Sequence, residues 1–236
     1  MTAADKRVRE ALDELERLGS KRVRDEMLTR YGVVAPKAFG VPMGAIQRLG
    51  KRLGRDHDLA AALWASGWYE ARCLCAFVDD PALVTSAQMD RWAADFDNWG
   101  VCDTVCFALF DRAPAAWSKV APWSRRREEF VKRAAFALVA SLALHDKRAD
   151  DAKFLRCLPL IERAATDERN FVKKGVSWGL RVLGRRNAAL NAAAIETSRR
   201  LAESEDKTAQ WLGRTSLKEL TGPVVKRALA KRAAKG

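Results

Sequence analysis

Two short stretches hold residues whose types and spacing can do chemistry. In "DNWGVCDTV" (97–105), Trp99 and Asp103 lie four residues apart, which on a helix is one turn and one shared face. In "KKGVSWGLRVLGR" (173–185), Trp178 stands among Lys174, Arg181 and Arg185. Asp almost never enters a core unpaired, so a carboxylate beside an indole asks for a reason. One carboxylate is enough for the cleavage of a glycosidic bond whose base already carries a positive charge. A purine alkylated at N3 or N7 is such a base and leaves without a general acid. Breaking the bond develops oxocarbenium character on the sugar. A fixed carboxylate about 4 Å away, at an effective dielectric near 20, is worth roughly 4 kcal/mol. That is about a thousandfold in rate. Indole faces attract cationic base and sugar by roughly 0.5–2 kcal/mol each, and basic residues hold phosphates. Simpler readings stand beside this one: a packed Trp with an Asp tied to an arginine, and an amphipathic helix with a solvated basic face.

The elements that must position these groups read as helices. Ala, Leu, Arg, Lys and Glu dominate, and alternating β-branched runs are absent. The pattern predicts helices near 4–18, 21–31, 43–54, 57–65, 68–78, 84–97, 98–111, 125–143, 151–165, 168–185, 188–203, 206–220 and 223–234. Breaks are expected at "YGVVAPKAFGVPM" (31–43), "DDPAL" (79–83), "RAPAAW" (112–117), "VAPWS" (120–124), "ATDE" (165–168) and "TGPV" (221–224). Three helices carry an apolar stripe and a second face with an aromatic or a charge. In 98–111 the stripe is Val101, Val105, Ala108 and Leu109, away from Trp99 and Asp103. In 125–143 it is Val131, Ala135, Leu138 and Leu142, with Arg133 opposite. In 168–185 it is Val172, Val176, Leu180 and Leu183, with Lys174, Trp178, Arg181 and Arg185 opposite. Arg125, Arg126 and Arg127 fall at the start of the second of these helices. Cations there oppose the helix dipole, and a bound phosphate would relieve the conflict.

The second-face residues Asp103, Arg133 and Trp178 are separated by 30 and then 45 residues, and HEAT or armadillo hairpins recur at about 40–47. Inner helices of such solenoids line a concave surface. The expectation is an all-α chain, an α-solenoid of HEAT-like helical repeats forming a concave groove lined by Trp99, Asp103, Arg133 and Trp178, with residues 1–236 as a single domain.

Composition sets the partner class. The 236 residues are 48% hydrophobic and 31% charged, with a net charge of +13. This favours an anionic partner: nucleic acid, acidic protein or anionic lipid. No apolar run approaches the roughly 18 residues of a membrane span. "MTAADKRVREALDELERLGS" lacks an apolar signal core. The five cysteines are expected to be reduced thiols, and neither Cys73/Cys75 nor Cys102/Cys106 has zinc-cluster spacing. No phosphate loop, dinucleotide fingerprint or nucleophile elbow appears, and two histidines do not favour a His-based triad. No metal and no cofactor are expected. The expected protein is a cytoplasmic, nucleoid-associated monomer with no membrane partner.

"DNWGVCDTV", "EFVKRAAFAL" (129–138) and "GVSWGLRVLGR" (175–185) resemble the signature helices of the AlkD-type DNA alkylation repair glycosylases. "YGVVAPKAFGVP" (31–42) is similar to a Tyr-containing, Gly-ending stretch of the same family. The resemblance implies a HEAT-like solenoid that excises positively charged alkylated purines, N3-methyladenine and N7-methylguanine, from double-stranded DNA in base excision repair. It implies that Asp103 is the catalytic carboxylate and that Trp99 and Trp178 touch the lesion nucleotide. Arg133 would support Asp103 and the DNA backbone, and Tyr31 would add a contact. Lys174, Arg181, Arg185 and Arg125–Arg127 complete the expected DNA-binding set. Here "GVPMGAIQRL" departs from the family's usual turn, and "VVKRALAKRAAKG" is more basic than the family leads one to expect. Two alternatives remain: a solenoid that binds damaged or branched DNA without excision, and a protein scaffold.

Overall fold

The expected helices form because good helix formers run between caps and breakers. In the computed structural model, which describes residues 3–234, fifteen α-helices and one 3-10 turn account for the regular structure. In chain order they are α1 (Ala3–Leu18), α2 (Lys21–Thr29), α3 (Met43–Leu53), α4 (His57–Ala65), α5 (Tyr69–Val78), α6 (Ser86–Ala94), α7 (Trp99–Ala108) and α8 (Ala116–Ser124). There follow α9 (Glu129–His145), α10 (Asp151–Leu155), α11 (Leu158–Ala164), α12 (Asn170–Leu183), α13 (Ala188–Ala202), α14 (Lys207–Leu220) and α15 (Pro223–Ala233). No strand occurs among the described residues. No described helix is long and apolar enough to cross a membrane.

Side-chain caps set several starts. Asn98, Asn187 and Asp206 accept from the backbone N–H groups of Val101, Leu190 and Ala209, at 3.0, 2.8 and 2.8 Å. Each satisfies a donor that the first turn leaves orphaned.

Two departures from the sequence pattern have local causes. Residues 116–124 form α8, although Pro114 marks a break just before this stretch and Pro122 one within it. Only one proline lies inside the helix, near its end, where Trp123 and Ser124 are still buried against the core. Residues 151–165 are two helices, because the chain turns at Arg156 and Cys157 and Pro159 starts the second.

The chain divides into two compact units, Met1–Ala115 and Ala116–Gly236. In the first, α4 and α5 pair, and α5 also packs on α3 and α7. In the second, α8/α9, α11/α12 and α13/α14 are successive hairpins. Helices α8, α11 and α13 touch one another as one layer, and α9, α12 and α14 touch as the other. Stacked helical pairs of this kind bury a continuous core between their layers. Helix α9 lies deepest: among Val131–Ala143 only Lys132 escapes burial. Its apolar character on all sides fits that place.

Candidate active site

In the first unit the site is built on α7. Asn98 caps the helix, Trp99 is its first residue, and Asp103 follows one turn later, half-buried. The predicted stripe of Val101, Val105, Ala108 and Leu109 is buried, which leaves Trp99 and Asp103 at the margin of the core. The Trp99 indole N–H donates to the carbonyl of Tyr31 at 2.9 Å. Its ring packs with Ala35 and Tyr69 against Met27, Val33 and Ala38. Trp99 is therefore half-buried and anchored, and it ties the turn after α2 to the start of α7. The Tyr31 ring is 45% exposed, with the Arg30 guanidinium 5.4 Å above it.

A second tie fixes the same loop. Glu70 of α5 is fully buried and accepts from the backbone N–H groups of Phe39, Gly40 and Val41 at 3.0, 2.7 and 3.2 Å. The Tyr69 N–H donates to the Lys37 carbonyl at 2.9 Å. Gly40 sits at φ 80°, a conformation that glycine adopts freely, and a Cβ there would strike the backbone of Ser20 and Arg24. This is the physical content of the Gly-ending "YGVVAPKAFGVP".

Tyr69 is the residue that sequence reasoning missed. Its hydroxyl lies so close to Gly100 that a Cβ on that glycine would collide with it. Gly100 precedes Asp103 by three residues and shares its face. Burial drives the phenol well above its ordinary range. The Cys73 thiol, the Glu70 charge and the Asp103 charge push the same way. Tyr69 therefore remains protonated within the field of Asp103. The available signal was "WYE" (68–70), polar groups opening an otherwise apolar helix.

All five cysteines are buried and unbridged. Burial pushes the Cys73 and Cys157 thiols up to about 12, and Cys75 and Cys106 well above the usual range. Thiols held protonated are poor nucleophiles and poor metal ligands.

In the second unit the candidate residues belong to α9 and α12. The stripe Val172, Val176, Leu180 and Leu183 is fully buried. Gly175 and Gly179 let α12 lie close on α9. A Cβ on Gly175 would come within 3.1 Å of Arg133 Cγ, and one on Gly179 within 3.1 Å of the Phe136 carbonyl. Trp178 stands between these glycines, half-buried. Arg133 is only 7% exposed, and its guanidinium donates to the Phe171 carbonyl at 2.6 Å. It joins α9 to α12 and offers little surface to a phosphate. Lys174 is exposed. Arg181 and Arg185 converge on one carboxylate, Glu219 of α14, the Arg185 pair at 2.6 Å.

Arg125–Arg127 require a correction. They do not open a helix. They follow the C-terminus of α8, and Arg125 and Arg126 donate through their N–H groups to the carbonyls of Pro122 and Trp123. Cations at that end complement the dipole, so no electrostatic conflict calls for a phosphate. The first turn of α9 is acidic instead. Glu128 pairs with Arg126, whose hydrogen bond holds its carboxyl down at about 2. Arg125 and Arg127 are exposed.

A stack of helical pairs with an aromatic–carboxylate turn on α7 and a basic Trp face on α12 defines a HEAT-like repeat protein. The sequence model of the DNA alkylation repair enzyme family matches residues 11–220, and the chain belongs to that family. No curated protein matches it. A solved structure aligns with TM-score 0.73 and 19% identity, covering 90% of this chain and 95% of its own. That protein is described as one of a new family related to the HEAT-like repeat DNA glycosylases, with affinity for branched DNA structures. The likeness shows the fold.

Proposed function

We propose that this protein is a DNA glycosylase that removes cationic N3- and N7-alkylpurines from duplex DNA, with Asp103 as the catalytic carboxylate. The observation that carries the reading is Asp103 itself. It is half-buried one turn after the anchored Trp99, in a chain of the DNA alkylation repair family.

As the bond from C1′ to the purine lengthens, its electron pair neutralises the cationic base. Positive charge passes to the sugar, where the Asp103 carboxylate stabilises it. Water adds to C1′, and its proton passes to the carboxylate and then to solvent. The products are a neutral alkylated base and an abasic site. Trp99 offers its indole to the cationic nucleotide, and Lys174, Arg125 and Arg127 hold backbone phosphates.

The test is incubation with methylated duplex DNA and chromatography of released bases. Free N3-methyladenine or N7-methylguanine in excess of the spontaneous rate supports the reading. The second reading, branched-DNA binding without excision, takes its support from the structural neighbour. Tight binding of a four-way junction with no released base would select it.

A further inference from the structure

A cavity of about 710 Å³ opens in the second unit between the end of α9, the start of α10, the end of α12 and α15. Its wall is part aliphatic: Leu144 and Val224 are 36% and 65% exposed, beside buried Val182 and Val225. The wall also carries four cations, Lys147, Arg185, Arg186 and Arg232.

Three of the four cations are held in place. Arg186 donates to the carbonyls of Ala143 and Ala149 at 3.1 and 3.0 Å, and its guanidinium lies 4.5 Å over the Phe154 ring. Arg232 donates to the carbonyls of Arg185 and Arg186, tying α15 across the end of α12. Arg185 is paired with Glu219. Lys147 lies on an exposed loop position after α9. Asp151 is the carboxylate in the wall, and both its oxygens already accept from the Asn187 amide, at 2.9 and 2.8 Å. Four cations against Asp151 and Glu219 leave a net positive charge of two. Burial, seconded by the charges of Arg186 and Arg232, lowers the Lys147 ammonium below its usual range.

We propose that this cavity binds a phosphomonoester of nucleotide size, the phosphorylated terminus of a DNA strand. Its cavity size lies within the usual range for small-molecule sites. A terminal phosphate carries about −1.5 to −2 at neutral pH, whereas an internal phosphodiester carries one charge. The excess of two positive charges therefore selects strand ends over continuous backbone. The aliphatic wall takes the sugar and base edge. Arg185 lies just past the C-terminus of α12, seven residues beyond Trp178, so the pocket adjoins the end of the helix that carries Lys174 and Trp178. The inference rests on the proposed DNA-binding function, and it adds recognition of broken or nicked strands.

The test uses the whole protein in calorimetric titrations with dAMP and deoxyadenosine, and with a short oligonucleotide carrying a 5′-phosphate or a 5′-hydroxyl. Closed circular duplex, which has no ends, is titrated in parallel. The expected result is a preference of about tenfold or more for each phosphorylated ligand. Lys147→Gln, at an exposed position, and Arg232→Gln should each erode that preference without altering affinity for closed circles. Equal binding of phosphorylated and hydroxyl ligands would overturn the proposal, as would a preference that survives both substitutions. Selective binding of dAMP with no discrimination between the oligonucleotides would assign the pocket to free nucleotides and overturn the strand-end assignment. A retained preference with no binding to closed circles would support the pocket while removing the duplex reading.

Discussion

The hydroxyl of Tyr69 rests on the α-carbon of Gly100, across the contact between α5 and α7. No side chain fits between them. Gly100→Ala should therefore cost about 1–3 kcal/mol, the usual penalty of an overpacked core. Tyr69→Phe removes the obstructing oxygen, so the double variant should recover most of that loss. Urea unfolding of the four proteins in the cycle measures it. A fully additive cycle would mean that Tyr69 and Gly100 do not determine each other.

Asp167 supplies a pH dependence. Its carboxylate accepts from Lys132 of α9 at 2.9 Å and from Arg169 before α12 at 2.6 and 2.9 Å. The Arg169 hydrogen bond, seconded by Lys132, holds its pKa well below the ordinary value of 3.8. A depressed carboxyl pKa means that the unfolded chain binds the proton more readily. The stabilisation is thus present above pH 3.8 and fades as the pH falls toward the folded-state pKa. Asp167→Asn should lose about 1–2 kcal/mol at neutral pH, discounted for partial exposure. The gap between variant and wild type should narrow at acid pH. Thermal melts from pH 7 to pH 2.5 report it, and a constant gap would refute the assignment.

The stripes of α7, α9 and α12 were legible in the sequence because each repeats at helical spacing, and all three are buried as that spacing requires. The all-helical class follows from the same periodicity. Helix α8 was not legible because Pro114 precedes it and Pro122 falls inside it, and tertiary burial of Val120 and Trp123 overrides that signal. With α8 unread, Arg125–Arg127 were assigned to the wrong helix end. Tyr69 escaped because its role comes from a glycine on another helix, which no local pattern reveals. Arg133 read as a projecting cation because it lies opposite the stripe Val131, Ala135, Leu138 and Leu142. In the fold α12 closes over it, with Gly175 against its stem and the Phe171 carbonyl on its guanidinium.

Arg133 gives a contrast between packing and charge. Its guanidinium bonds the Phe171 carbonyl, and its stem covers Gly175. Arg133→Met preserves much of the stem and removes the donors. A loss of about 1–3 kcal/mol is expected from the unsatisfied carbonyl. Affinity for undamaged duplex should change less than twofold if Arg133 acts by holding α12. Chemical denaturation and fluorescence anisotropy on the same variant separate the two roles; a tenfold loss of affinity in a fully stable variant would return Arg133 to the phosphate contacts.

Arg181 and Arg185 share Glu219, so part of their charge is spent within the protein. Duplex binding with about 6 phosphate contacts should give a slope of log K against log[salt] near −5. Glu219→Gln frees one positive charge on this face. Affinity should rise, and the slope should steepen by about 1. Anisotropy titrations between low and moderate salt measure both quantities. A flat salt response in the wild-type protein would point to a protein partner instead.

Asp103→Asn keeps size and hydrogen-bonding capacity while removing the charge. If the carboxylate stabilises a developing sugar cation, excision should slow by about 10²–10³, the usual loss of one preorganised electrostatic group. Binding to undamaged duplex should not weaken, because one negative charge fewer eases the approach of phosphate. A purely structural Asp103 would behave differently: stability would fall, and binding and excision would decline together. Single-turnover excision, duplex affinity and thermal melting on one preparation distinguish the cases. Unchanged excision by a well-folded Asp103→Asn protein would leave the turn from Trp99 to Asp103 without catalytic chemistry.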